Sequence, residues 1–196
     1  MGEKQEFQPL TREDKITVVL YRIGIVLATV IVTALSYLVA TASSYNGYSA
    51  DILVYGLYIA VGMSVFFIHL YVGKFKTYLK YLYFISAGCL VALLSIGKGS
   101  LSGALAHEPY SALFLLPLSG CLGFVTAKEA FCFKLVEGYL LAMIMPIYLV
   151  LISGGFLSAR SAYYGLILIA VMLVIFTLRK VFQPLAYDIG DKSAYQ

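Results

Sequence analysis

Six apolar runs dominate this chain, at 16–42, 51–73, 78–97, 109–127, one that ends at 153, and 161–178. Each comes near the ~20 residues that a helix needs to cross a hydrocarbon layer. Lipid offers backbone N–H and C=O groups no water to bond, so runs of this length fold as helices. The pattern predicts an all-α, polytopic transmembrane bundle of six helices. A polar N-terminal segment at 1–15 and a short polar tail at 183–196 flank a membrane domain at 16–182.

Charge density agrees, since only 12% of residues are charged, against about a quarter in soluble domains. The net charge of +4 does not indicate a nucleic-acid ligand, because the basic residues sit at segment ends. Cys89, Cys121 and Cys132 lack paired spacing, so neither a disulfide framework nor a zinc motif is expected. Tyrosines cluster at segment edges, where an amphipathic ring suits the headgroup layer. Ala40-Thr41-Ala42 mimics a leader cleavage site, but the apolar run before it is too long and acids precede it. No cleavage is expected there.

Turn residues join the runs, as in Ser43-Ser44-Tyr45-Asn46-Gly47 and Ser153-Gly154-Gly155. At the start, Thr11 followed by Glu13 and Asp14 reads as a helix cap. Twelve Lys and Arg fall with the two chain ends and the second–third and fourth–fifth links, while only Lys98 and Arg160 fall on the other side. That bias predicts both termini on the cytoplasmic side.

Small residues recur every four positions on three runs: Gly56, Ala60 and Ser64; Gly88 and Ala92; Ser119, Gly123 and Ala127. Close packing of such residues holds membrane helices together, so the second, third and fourth helices are expected to form the tight centre. Pro117 is expected to kink the fourth helix. Pro146 breaks the fifth and frees the Ala142 carbonyl.

Counting back from Ser153 puts the boundary of the fifth helix near Lys134, with Glu137 one turn inside the hydrocarbon. An acid there should face the bundle with a partner, Lys134 or Arg22. A fifth helix beginning near Glu129 would place Glu129, Cys132, Phe133 and Val136 on one face, with Glu137 at its edge. Arg22, His69, Lys128, Glu129, Cys132, Lys134 and Glu137 then form a polar cluster on the inner side. Three readings compete for it. The plainest is structural: an interfacial ion pair, His69 satisfied by backbone and Cys132 as packing. The second is a metal or pigment site drawing on His69, Glu129, Cys132 and Glu137, a ligand set suited to a transition metal but without diagnostic spacing. The third is a proton or substrate relay through Glu137. Nothing assembles a nucleophilic triad around Cys132 and His69. On the other side, His107-Glu108-Pro109 beside Lys98 reads as a helix start.

The run Lys128-Glu129-Ala130-Phe131-Cys132-Phe133, with Glu137 and Pro146 following, resembles the signature of an uncharacterised family. These are integral-membrane domain-of-unknown-function proteins of photosynthetic bacteria and plastids. The resemblance spans most of the chain from the second helix onward and implies a thylakoid or plasma (inner) membrane, with no activity attached. The expected role is a non-enzymatic scaffold or assembly factor whose partners are the lipid bilayer and other membrane-protein helices. A small transporter is the alternative, and a metal- or pigment-binding protein the third reading. The sequence requires no cofactor, though it leaves room for a pigment or a lipid.

Overall fold

The structure is a computed structural model and describes residues 11–41, 47–70 and 72–189. It is helical: α1 (Arg12–Ala40), α2 (Gly47–Phe67), α3 (Gly73–Ile96), α4 (Leu101–His107), a 3₁₀ helix (Pro109–Leu115), α5 (Leu116–Phe133), α6 (Val136–Ser153), α7 (Ala159–Val181) and α8 (Ala186–Ile189). Six helices are long and apolar enough to cross a membrane, the 3₁₀ helix and α5 counting as one. The protein is therefore a multi-pass membrane bundle. The Ser43–Asn46 link lies outside the described residues.

Thr11 begins α1 as its sequence predicts. Its hydroxyl accepts from the Asp14 N–H at 3.2 Å and the Asp14 carboxylate accepts from the Thr11 N–H at 2.8 Å, so two end groups are satisfied reciprocally. Each span touches the next in chain order and α7 returns to α1, so the six close a ring, with α2 and α5 also meeting across it. Tyr21, Ile25, Val61, Val125, Leu141 and Phe176 belong to the core they enclose. The bundle end where α1 starts and α7 finishes is called the terminal end below.

The tightest approaches differ from those expected. The Ala60–Ser64 stripe of α2 meets α1, where a Cβ on Gly24 would stand 2.7 Å from the Ala60 oxygen. Gly56 abuts Ile31 of the same helix. On α5, Gly123 lies against Ala142 of α6, where an added Cβ would stand 3.4 Å from the carbonyl that Pro146 leaves without an intrahelical donor. Ala127 and Ser119 are half-buried, and Ser119 donates back to Leu116. Gly88 has open space where a Cβ would stand, and Ala92 beside it is only half-buried. The expected centre of second, third and fourth helices is thus replaced by two pairs, α1 with α2 and α5 with α6. The spacing rule found residues able to pack closely, but which helix uses them is a tertiary matter.

Two prolines resolve differently. Pro117 does not kink a helix: it stands in the first turn of α5, where its missing N–H costs no bond. Pro146 lies inside α6, which remains helical through it. The link between α5 and α6 is also shorter than the sequence suggests. Lys128 and Glu129 do not form it, because α5 runs on to Phe133, and only Lys134 and Leu135 intervene. Lys134 turns the chain with a left-handed backbone, φ 55°, an uncommon conformation for a residue other than glycine. Glycine at 138 then lets α6 fold back onto α5, since a Cβ there would press on the Thr126 carbonyl and come 3.0 Å from the Ala130 Cβ.

Candidate functional site: a buried chain of charges

Glu129 occupies the last full turn of α5, pointing into the ring rather than toward α6. It is completely buried. Its Oε1 accepts from the Tyr21 hydroxyl of α1 at 2.6 Å and from Lys128 Nζ at 2.7 Å. The Lys128 ammonium also stands 5.4 Å from the centre of the Tyr21 ring, where the negative ring face attracts a cation.

The other carboxylate oxygen, Oε2, is ion-paired with Lys180 on the last turn of α7, which is equally buried. Lys180 reaches Asp188 of α8 as well and lies 4.2 Å over the Phe133 ring. Asp188 in turn takes Arg22 Nε of α1 at 2.7 Å. The remaining guanidinium donors go to the carbonyls of Val181, Gln183 and Pro184, at 3.1, 2.6 and 3.1 Å. Val181 is the last residue of α7, at the negative pole of its dipole, and Gln183 and Pro184 lie in the link to α8. Arg22 therefore caps α7 from another helix.

The result is an alternating line, Lys128, Glu129, Lys180, Asp188, Arg22, with each acid between two bases. Alternation is what burial demands, because an unpaired ion loses far more solvation than an apolar site returns. It joins α1, α5, α7 and α8 at the terminal end of the ring.

The remaining predicted residues separate. Glu137, with 14% of its side chain exposed, takes neither Lys134 nor Arg22 as partner; Arg179 holds both its oxygens, at 2.7 and 2.8 Å, from a side chain 52% exposed. Cys132 and Lys134 are exposed. Glu129 and Cys132 belong to α5 and Glu137 to α6, so the single-helix face expected for them does not exist. His69, just past α2, has Nε2 3.2 Å from the Thr17 hydroxyl, and its Nδ1 is buried without a partner. Burial, and then the charges of Lys76 and Lys128, lower its pKa from the ordinary value. Among the described residues no three His, Cys, Asp or Glu side chains gather as a metal would need.

At the opposite end Asp51 holds α4 in place, accepting from the Ser100 hydroxyl at 3.1 Å and the Leu101 and Ser102 N–H groups at 3.2 and 2.7 Å. The side chain of His107 lies outside the described ones; Pro109 opens the 3₁₀ helix. Asp51, Tyr21, Lys180 and Asp188 are the polar residues that sequence reasoning passed over. Lys180 and Asp188 carried one readable signal: an acid eight positions after the second of two bases, Arg179 and Lys180, that follow an apolar run.

A family model described as uncharacterized integral membrane protein (DUF2301) matches residues 63–196. The chain belongs to this family. The DUF2301 match takes in Lys128, Glu129, Lys180 and Asp188, while Tyr21 and Arg22 of α1 precede it. Within the DUF2301 region the acids of the buried line already have their lysines, and α1 adds the aromatic and guanidinium partners. No curated protein and no solved structure matches the chain.

Proposed function

We propose that the protein is a non-enzymatic membrane scaffold or assembly factor that binds helices of a larger complex in a thylakoid or plasma membrane, with both termini on the cytoplasmic side. The observation that carries this reading is the outer face of α3, the least buried of the six spans. Tyr81, Phe84, Ile85 and Val91 are exposed there by 57–64%, and Gly88 sits among them with nothing opposite. Bulky side chains around a glycine make a surface that an incoming helix can approach closely. The buried charges favour the same reading, for they are spent on one another and tie four helices into a fixed frame.

Gly88→Leu tests it. The variant fills open space and should keep the unfolding temperature of the parent, yet lose partner proteins that co-purify in mild detergent. Co-purification unchanged by Gly88→Leu, or a parent that always isolates as a free monomer, defeats the proposal. A transporter gated by Glu137 is the competing reading, and the Arg179 pair at the bundle's edge tells against it. Proteoliposome flux abolished by Glu137→Gln would favour that alternative.

A further inference from the structure

At the end of the ring opposite the buried charges, a cavity of about 430 Å³ lies between the close of α3 and α4. Ile96, Gly97, Lys98, Gly103, Ala104 and Glu108 line it. Small-molecule sites begin at roughly 300 Å³, so the space is large enough for a compact ligand. The surrounding residues hold its shape. Glycine at 97 lets α4 fold back on α3, because a Cβ there would collide with the Ser100 oxygen and come 3.0 Å from the Ala104 Cβ. Asp51 grips the start of α4, and Leu101 and Ala104 pack with Leu93 of α3.

The two charged residues of the lining are anchored by their backbones. Lys98 is left-handed, φ 52°, an uncommon state for a residue that carries a Cβ. The Gly99 N–H that follows it donates to the Leu94 carbonyl at 2.9 Å and fixes the turn. Glu108 is held on both sides, its N–H donating to the Ala104 carbonyl and its own carbonyl accepting from the Ser111 N–H, each at 3.0 Å. Both residues are exposed, and among the described residues neither has an ion pair, with the other or with any third group. Opposite charges thus share one cavity without meeting. A molecule with an anionic and an ammonium end would satisfy both, each contact being a charge-assisted hydrogen bond.

We propose that this cavity binds a small zwitterion, a phosphate and a primary ammonium joined by a short carbon bridge, supplied by the headgroup of phosphatidylethanolamine or by free phosphoethanolamine. Lys98 donates to the phosphate and Glu108 accepts from the ammonium, while Ile96 offers apolar surface to the bridge. The ends of the spans lie where headgroups lie, and Tyr110, exposed just past Glu108, suits that layer. Selectivity follows from the acid. Phosphatidylcholine gives Glu108 no N–H to accept from, and phosphatidylglycerol gives it no cation, so both leave one half of the site unused.

The test uses the full chain in mild detergent, titrated separately with phosphatidylethanolamine, phosphatidylcholine, phosphatidylglycerol and soluble phosphoethanolamine. Bound lipid is counted by native mass spectrometry and unfolding temperature is followed in parallel. Phosphatidylethanolamine should be retained over the other two lipids and raise the unfolding temperature. Lys98→Gln should weaken its retention roughly five-fold, the worth of one exposed ion pair. Glu108→Gln should weaken it similarly and remove the preference over phosphatidylglycerol, whereas Lys74→Gln at the terminal end should change neither. An equal temperature rise with phosphoethanolamine, lost in Glu108→Gln, supports the site with the free zwitterion as its ligand. Equal retention of the three lipids, or phosphatidylethanolamine binding that survives both Lys98→Gln and Glu108→Gln, overturns the proposal. Unfolding temperatures without ligand show whether each variant is folded, and Lys98→Ala or Glu108→Ala substitutes for one that is not.

Discussion

Arg22 and Asp188 lie 166 positions apart in the chain and are joined by a 2.7 Å bond between Nε and Oδ2. The bond fastens the short helix after the last span to the third turn of the first. Because Asp188 also serves Lys180, its removal takes a carboxylate from two buried cations at once.

Asp188→Asn should therefore cost about 3–5 kcal/mol, the range for breaking a buried pair from one side. Unfolding in mixed detergent micelles measures it. In a double-mutant cycle, Arg22→Ala and Asp188→Ala together should cost less than their separate sum, since the pair is coupled. Strict additivity would show that the two do not interact in the folded protein.

The two glutamates at this end should behave very differently. Glu129→Gln leaves Lys180 buried with one acid fewer and should cost several kcal/mol. Glu137→Gln loses a pair whose arginine is half in solvent, worth about 1 kcal/mol or less. The same micelle assay ranks them, and equal losses would mean that Glu137 is set far deeper than its geometry shows.

Which parts of this arrangement the sequence disclosed follows from the range of the forces involved. The six spans were legible because length and apolarity are local properties, and the Thr11 cap because its partner is three residues away. Glu129 was assigned to the wrong helix for the converse reason. A Lys-Glu pair after an apolar run reads as the start of the next helix, and only Tyr21 and Lys180, brought from α1 and α7, fix it inside the end of α5. The end of α7 and the role of α8 were missed likewise, since Arg22 reaches both from another helix. Gly24 and Ala28 carried the same four-residue spacing as Ala60 and Ser64, their counterparts, and were passed over on the first helix.

His69 gives a pH signature. Burial and the nearby lysines lower its pKa in the folded protein, while the unfolded chain has the ordinary value of about 6.5. Between those two values the unfolded state binds more protons, so stability falls as pH drops through about 6.5 and levels off below the folded value. Thermal unfolding in phosphate-free buffer between pH 8 and 5 (roughly the window in which histidine titrates) should show that decline. His69→Gln should flatten it; an unchanged slope assigns the decline to other groups.

Gly24 and Gly88 make a matched pair of probes. A Cβ on Gly24 meets Ala60 and Ser64 backbone at 2.7 and 2.8 Å, so Gly24→Ala should push α1 from α2 and cost about 1–3 kcal/mol. Gly88→Ala meets nothing and should be silent in the isolated protein. Equal effects at the two positions would contradict the helix pairing described above.

The two-residue turn at Lys134 and Leu135 has a bearing on how this molecule is made. Spans so closely joined leave no room for a separate segment between them, so α5 and α6 make one doubled-back unit. Their shared tip also offers an aqueous protein almost nothing to grip. The surface this unit offers is therefore almost all helix flank, facing the plane of the lipid.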